Sequence, residues 1–300
     1  MNDYLPLVGI VTLIYNNEKF IVESIKSIIN QTYPISKIEH IIINDFSPGD
    51  DNEIKTWIKN NNYKCKYIEH KKNLGICRSL NEFILVTKSK YFFGLADDLI
   101  SPSYIFERVK FMEQSNSDIA AIYSPAICIN NNNLEVNRID NLPKEAIFKR
   151  IITTNYINAV GCFRRVNSIK EVGLYDERLY YEDYDMWLRL LVKFKIILFK
   201  PDKIDIFRRV HESSTSFNLK NDLQLIVKLK ALVKHRKFNH NIIIENMHIF
   251  ARKLSISSRM QGIKWLFLCN IIKPSKMSFI YFFSCFLPLR KLILKKWGNF

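Results

Sequence analysis

At 300 residues, 48% of them hydrophobic, the chain has room for one large domain with its own core and an appendage. Its six cysteines (Cys65, Cys77, Cys128, Cys162, Cys269 and Cys285) are scattered without C-x-x-C spacing, which argues against a disulfide-stapled or zinc-built scaffold and for reduced, mostly buried thiols in a cytosolic protein. The formal net charge of +16 is uneven: residues 1–220 carry 30 Lys and Arg against 27 Asp and Glu, and residues 221–300 carry 15 against 2, so the partner that this charge implies is met in the C-terminal region. No basic-then-apolar stretch opens the chain, and no signal peptide is expected.

Val8 to Ile14 is a continuous apolar run with one Thr, suited to a buried parallel strand. It ends at Tyr15-Asn16-Asn17-Glu18, where an Asn with an acid behind it starts a helix carrying Ile21, Ile25, Ile28 and Ile29 at helical spacing. Tyr33-Pro34 stops that helix. Ile38 to Ile43 is a second buried-type strand, ending at Asp45, and a Pro48-Gly49 loop and a short helix through Trp57 follow. Cys65 to Ile68 is a third strand, Asn73-Leu74-Gly75 opens a helix with Leu80, Phe83, Ile84 and Val86, and Tyr91 to Leu95 is a fourth strand. This alternation predicts an α/β fold with a doubly wound, mostly parallel sheet.

Ser101-Pro102 starts the next helix. Ile119 to Ile129 reads as one strand, 130–133 as a loop, 145–153 as a helix, 159–163 as a strand and 170–174 as a turn of helix. Glu182-Asp183-Tyr184-Asp185 opens a helix through Trp187 and Leu191, and Lys195 to Phe199 and Ile204 to Phe207 read as edge strands. From about residue 221 the pattern changes to basic helices over roughly 221–237, 240–260 and 262–272, with a last stretch over 277–297.

The sharpest chemical signal is Tyr91-Phe92-Phe93-Gly94-Leu95-Ala96-Asp97-Asp98, a buried-type strand that ends in two adjacent carboxylates. Ligands of open α/β sheets bind beyond the carboxyl ends of the strands. Two carboxylates ~4 Å apart there repel by roughly 4 kcal/mol at an effective dielectric of ~20. A hard divalent cation that also holds a diphosphate would offset this; an ordinary surface turn is the plainer alternative.

Taken in order, these blocks resemble family-two inverting glycosyltransferases of the GT-A fold over residues 7 to about 216. That resemblance implies a Rossmann-like, mostly parallel central sheet flanked by helices, as a catalytic domain over 1–220, with a basic helical region over 221–300. The first strand and its Tyr/Asn turn resemble the family's nucleotide contact and implicate Thr12, Tyr15 and Glu18. Ile41-Ile42-Ile43-Asn44-Asp45-Phe46-Ser47 resembles the family's strand followed by Asp-Asp-Gly-Ser; the base-reading Asp falls on Asp45, and Phe46 stands where the family has Gly. A carboxylate accepting from a uracil N3–H would be worth roughly 1.5–3 kcal/mol. Asn73-Leu74-Gly75 with Arg78 and Asn81 resembles the block whose basic residue faces the diphosphate, although Arg78 equally suits a solvated helix face.

The family's Leu-Asp-Ala-Asp-Asp is here Leu-Ala-Asp-Asp, with Leu95 in place of the first Asp; by spacing to Pro102, Asp97 aligns with the usual metal ligand, and the resemblance implies Asp97 and its neighbour Asp98 as metal ligands, with Asp98 also meeting the donor. Gly173-Leu174-Tyr175-Asp176-Glu177 leading to Glu182-Asp183 resembles the catalytic-base block, which implies Asp183 as the base, with Glu182 as the alternative; an acidic helix N-terminus explains the same residues structurally. Arg208-Arg209-Val210-His211 resembles the Arg-x-His segment, so that His211 would complete the metal shell or meet the diphosphate and Arg209 would neutralise the leaving group.

The cofactors that the resemblance implies are Mn2+ or Mg2+ and a nucleotide-sugar donor, uridine-linked. The acceptor implied is a saccharide or lipid-linked saccharide at the inner face of a membrane. In the tail, residues 277–289 are apolar, rich in Phe and flanked by Lys273, Lys276, Arg290, Lys291, Lys295 and Lys296, with Trp265 and Trp297 near the margins. Thirteen residues are short of the ~20 that a crossing needs, so an interfacial helix on an anionic membrane is expected, against a plain helical appendage. No nucleic-acid module is recognisable. Two other functions remain to be weighed: a nucleotide-sugar binding module without turnover, and a basic scaffold whose tail binds nucleic acid.

Overall fold

The computed structural model describes residues 5–140, 142–179, 182–200, 202–211, 221–235 and 240–286. The chain divides into two compact units, one of residues 1–148 with 156–218 and one of residues 149–155 with 219–300.

The first unit is built in the order β1 (Val8–Ile14), α1 (Glu18–Ile29), β2 (Ile38–Asn44), α2 (Asn52–Asn60), β3 (Lys66–Glu69), α3 (Ile76–Val86), β4 (Tyr91–Gly94), β5 (Leu99–Ile100), α4 (Tyr104–Gln114), β6 (Ile119–Tyr123), β7 (Ala126–Ile129) and β8 (Glu135–Ile139). After α5 (Phe148–Thr153) come β9 (Phe163–Arg165), α6 (Val166–Val172), α7 (Glu182–Lys193), β10 (Lys195–Leu198) and β11 (Ile206–Arg209). Seven strands form one sheet in the order β10-β6-β9-β4-β1-β2-β3, parallel throughout except for β9. A second sheet has the order β5-β11-β7-β8.

Helices on both faces explain why β1 is apolar along its whole length rather than alternating. Val8, Ile10, Tyr91, Phe93, Tyr104 and Phe163 share one core cluster, while Ile14, Ile21, Ile25, Ile42 and Ile54 form another. Inside this unit lies a buried ion pair. Arg108 of α4 reaches Asp205 through two bonds of 2.7 and 2.8 Å, donates to Ser124 Oγ at 2.7 Å and stacks on the Tyr104 ring. It ties α4 to the segment that leads into β11.

Several expected elements are displaced. The run 119–129 is two strands, because Pro125 has no N–H for a ladder: β6 lies in the large sheet and β7 in the small one. β11 is internal to the small sheet rather than an edge, whereas β10 does lie at an edge. β8, too polar to signal a core strand, was not expected. The strand near 159–163 starts at Phe163 and runs antiparallel, Glu145 bridges Ile197 before the helix begins at Phe148, and α6 begins at Val166. Pro102 sits in the turn before α4, not in its first turn.

The second unit contains α8 (Asn221–His235), α9 (His240–Ser257), α10 (Arg259–Ile272) and α11 (Lys276–Ser284). Helices α9 and α10 approach so closely that a Cβ on Gly262 would collide with the Ser255 backbone. His248 of α9 lies 2.6 Å from Ser278 Oγ and 2.8 Å from the Lys273 carbonyl. Of the stretch expected over 277–297, the part beyond residue 286, with Trp297, lies outside the described residues. Trp265, expected near a membrane margin, is instead buried in the unit's core.

Candidate active site

Parallel register sets the carboxyl ends of β1, β2 and β4 side by side. Ile14 pairs with Asn44 and Val11 with Gly94, and the Asp45 and Leu95 amides donate to the Ile14 and Val11 carbonyls at 3.1 and 3.0 Å. The turns carrying Tyr15 to Glu18, Asp45, and Asp97 with Asp98 therefore share one edge of the sheet, where ligands of such sheets bind.

At the end of β4 the adjacent acids diverge. Asp97 Oδ2 lies 2.5 Å from His211 Nε2, and the His211 ring packs on Phe20. Asp98 turns inward and its Oδ1 accepts the Arg209 backbone N–H at 2.8 Å. Burial, and then the charge of Asp97, push the Asp98 carboxyl well above the usual carboxylate range. Asp98 is thus a buried anchor for β11 and does not face outward beside Asp97, which corrects its expected place as a ligand.

Arg209 is also an anchor. Its guanidinium donates to the Asp97 carbonyl at 2.9 Å, the Asn130 carbonyl at 3.1 Å and Glu23 at 2.7 Å, lies over the Phe20 ring, and has no exposed side-chain surface. The expectation that it meets the leaving group is corrected: it holds the Asp97 loop against α1.

The expected trio of metal ligands is therefore reduced to two. Among the described residues no group of three or more His, Cys, Asp and Glu could hold a metal. Asp97 and His211 fit a cation that takes the rest of its shell from diphosphate oxygens and water, the usual habit of Mg2+ beside phosphates.

On the nucleotide side, Tyr15 is 49% exposed and the Glu18 carboxylate accepts from Ser47 Oγ. Gly49 lets that carboxylate pack directly over the loop, since a Cβ there would displace it. The Asn16 amide donates to Ser47 Oγ at 2.8 Å, so the two turns are tied together. Phe46 adopts φ 57°, the left-handed conformation that Gly would adopt without strain. Thr12 is fully buried, with its hydroxyl donating to the Leu95 carbonyl at 2.5 Å and lying 2.9 Å from His40 Nε2. It faces the interior and not a ligand, which corrects its assignment as a nucleotide contact.

The Asp45 carboxylate accepts from the Leu74 and Gly75 amides, both at 2.8 Å, and lies 2.7 Å from His70 Nδ1. It holds the start of α3 and keeps one lone-pair site for a further donor. His70 Nε2 lies 2.9 Å from Glu82. With a carboxylate at each nitrogen, both nitrogens must donate, so the ring is an imidazolium. Burial opposes that charge, but the bonds to Asp45 and Glu82 outweigh it and hold the pKa up. The sequence reading did not single out His70; its only signal was its place just beyond an apolar strand. Arg78, in the first turn of α3, is exposed and ion-pairs with none of the described residues.

Helix α3 also sets up the acidic start of α7. Its Cys77 donates to the Leu179 carbonyl, and Asn81 exchanges bonds of 2.9 and 2.8 Å with the Tyr175 backbone. Asp183 Oδ1 accepts the Tyr184 N–H at 2.7 Å. Burial, then the neighbouring Asp183 charge, push the Glu182 carboxyl up to about 8. The two carboxyls therefore titrate as a pair, in which the charge of one opposes ionisation of the other. Arg164 of β9 also acts on this pair. It is buried between the Phe92 and Trp187 rings, donates to the Ala159 carbonyl at 3.1 Å, and its field favours ionisation of Glu182. Asp185 is buried and paired with Arg189 at 2.9 Å, apart from this chemistry.

The first unit thus offers tied turns with an exposed aromatic, an Asp–His pair beyond β4 and a coupled acid pair at the start of α7. The family model "Glycosyl transferase family 2" matches residues 9–172, more than half of the chain. An uncharacterized glycosyltransferase of Rickettsia typhi is 29% identical over 230 residues, covering 74% of this chain and 70% of that protein. One from Haemophilus influenzae is 40% identical over 120 residues, covering 40% of this chain and 36% of its own length. Among solved structures, S. aureus TarS aligns with a TM-score of 0.66 at 16% identity, over 97% of this chain and 53% of that one. The mannosyltransferase PcManGT of Pyrobaculum calidifontis, solved with GDP-Man and Mn2+, aligns with a TM-score of 0.61 at 11% identity, over all of this chain and 89% of that one. The fold is GT-A, and the chain belongs to glycosyl transferase family 2.

Proposed function

We propose that the protein transfers a sugar, with inversion, from a nucleotide-sugar donor, UDP-linked, to a hydroxyl of a saccharide or lipid-linked saccharide. The reading is carried by the Glu182–Asp183 pair at the start of α7, where desolvation and mutual repulsion raise the Glu182 carboxyl up to about 8, as suits a site that exchanges a proton near neutral pH. Asp183 takes the acceptor hydroxyl proton as that oxygen bonds to the anomeric carbon. The bond from that carbon to the diphosphate breaks on the opposite face, and the nucleotide diphosphate leaves with the electron pair. Tyr15, Glu18 and Asp45 hold the nucleoside, and Arg78 offers a cation to the diphosphate. Asp97 and His211 would hold Mn2+ or Mg2+, which when bound neutralises leaving-group charge.

Support for the donor comes from solved relatives of the fold, since TarS was crystallised with UDP-GlcNAc and PcManGT with GDP-Man and Mn2+. The acceptor reading places the enzyme at the cytoplasmic face of a membrane, without crossing it. No described helix is long and apolar enough to span one. Asp183→Asn is expected to lower transfer by roughly 10²–10⁴ while UDP-sugar binding persists; normal turnover would remove Asp183 from the role. EDTA is expected to abolish transfer, and full activity in its presence would dismiss the metal.

A further inference from the structure

From Asn246 to the end, the chain contains ten Lys and Arg and no Asp or Glu. Within that stretch α10 and α11 bury part of their apolar surface but leave a second apolar stripe outside. Helix α11 buries Ser278 and Ser284, the first held by His248, yet leaves Phe279 and Phe283 41% and 63% exposed. Phe286, just beyond the helix, continues that stripe at 54% exposed. On α10, Phe267 and Ile271 are one turn apart and 56% and 64% exposed, although Trp265, Leu266 and Cys269 beside them are buried.

The two stripes join. The half-buried Phe282 ring lies 6.2 Å from that of Phe267 and 5.5 Å from those of Phe283 and Phe286. Lys264 lies one turn from Phe267 on α10, and Lys276 lines the same hollow as Phe279, Phe283 and Phe286. A helix in water places Phe inward and Ser outward; the reverse order fits a helix whose outer side meets hydrocarbon. At 14 and 9 residues α10 and α11 are too short to cross a bilayer but suited to lie in its interface.

We propose that the ridge Phe267–Ile271–Phe279–Phe283–Phe286 is a membrane-docking face that seats in the interface of an anionic bilayer, with Lys264 and Lys276 at the headgroups. The inference deepens the reading of a lipid-linked acceptor by naming a surface and a partner, but its test does not depend on sugar transfer. Aromatic side chains supply the apolar insertion and cations the preference for anionic lipid, so the two contributions are separable.

The full chain is sedimented with vesicles of phosphatidylcholine alone and of phosphatidylcholine with phosphatidylglycerol. Binding to the anionic vesicles is expected, weakening with salt. Phe279→Ser with Phe283→Ser, and separately Lys264→Glu with Lys276→Glu, are expected to weaken it by about tenfold or more, with the thermal transition and donor hydrolysis unchanged. The proposal is overturned if wild type ignores anionic vesicles or if either double variant binds as wild type does. It is equally overturned if the chain prefers duplex DNA to vesicles, or if the Phe pair only dissolves a concentration-dependent dimer. Loss of hydrolysis with vesicle binding intact would count against the catalytic reading alone.

Discussion

Two pairs of neighbouring carboxylates, Asp97–Asp98 and Glu182–Asp183, meet the same electrostatic problem and resolve it differently. At the end of β4 the solution is geometric: Asp98 turns into the core to take a β11 amide, while Asp97 turns to His211. At the start of α7 the two carboxyls stay together and the solution is chemical: desolvation and the neighbouring Asp183 charge raise the Glu182 carboxyl up to about 8, so the pair resists carrying two charges. Asp45 and Glu82 show a third solution, with His70 as a cation between them. In the first two pairs the two neighbours end in different surroundings. A motif of adjacent acids therefore does not supply two equivalent ligands or bases.

The largest effect should come from splitting each pair. Asp183→Asn and Asp97→Asn are each expected to cut kcat/KM by roughly a thousandfold, and Glu182→Gln and Asp98→Asn by less than about tenfold, because Gln keeps the shape of Glu182 without its proton exchange and Asn keeps an acceptor for the Arg209 amide. Equal losses within a pair, read from steady-state kinetics with a soluble acceptor, would end the distinction.

A buried carboxylate matched by a full countercharge gives the opposite limit. Asp205→Asn strands the charge of Arg108 and is expected to cost about 3–5 kcal/mol in urea unfolding. A cost below about 1 kcal/mol would mean that the pair is solvated.

The His70 bridge sharpens the comparison through pH. Its folded pKa is raised above the ordinary 6.5, so its stabilisation is fully present below 6.5 and lost as pH rises through the folded value. Unfolding free energy should therefore fall on the alkaline side by up to about 1.4 kcal/mol per pH unit within that window, and His70→Gln should flatten the slope. An unchanged slope in the variant would place the titration elsewhere. The smallest effect concerns the loop after Asp45. Phe46→Gly should relieve its left-handed backbone by about 1 kcal/mol or less, visible as a higher Tm, whereas a lower Tm would show that the aromatic ring contributes more than the strain costs.

Much of this was legible one residue at a time. Continuous apolar runs marked β1, β2 and β4, because strands covered on both faces must be apolar throughout. The order of the acid-bearing blocks pointed to Asp97 and His211, and the structure brings those two side chains together. The direction of each side chain was not legible. Thr12 lies in a strand buried on both faces, so no alternation told which way its hydroxyl points. Arg209 looks like a phosphate cation in sequence, yet it is enclosed by Phe20, Glu23 and Asn130, which come from other elements. His70 gains its charge only because α3 brings Glu82 to its second nitrogen.

The sequence by itself determined the alternation of strands and helices, the family, and the basic, acid-free character of the last segment, since these depend on local composition and spacing. Only the tertiary structure decided that Asp98 anchors β11 while Asp97 meets His211, and that α11 turns Ser278 and Ser284 inward and Phe279 and Phe283 outward. Burial and hydrogen-bond partners are set by residues far away in the chain, and those partners govern both the charge state of an acid and the side a helix shows to its surroundings.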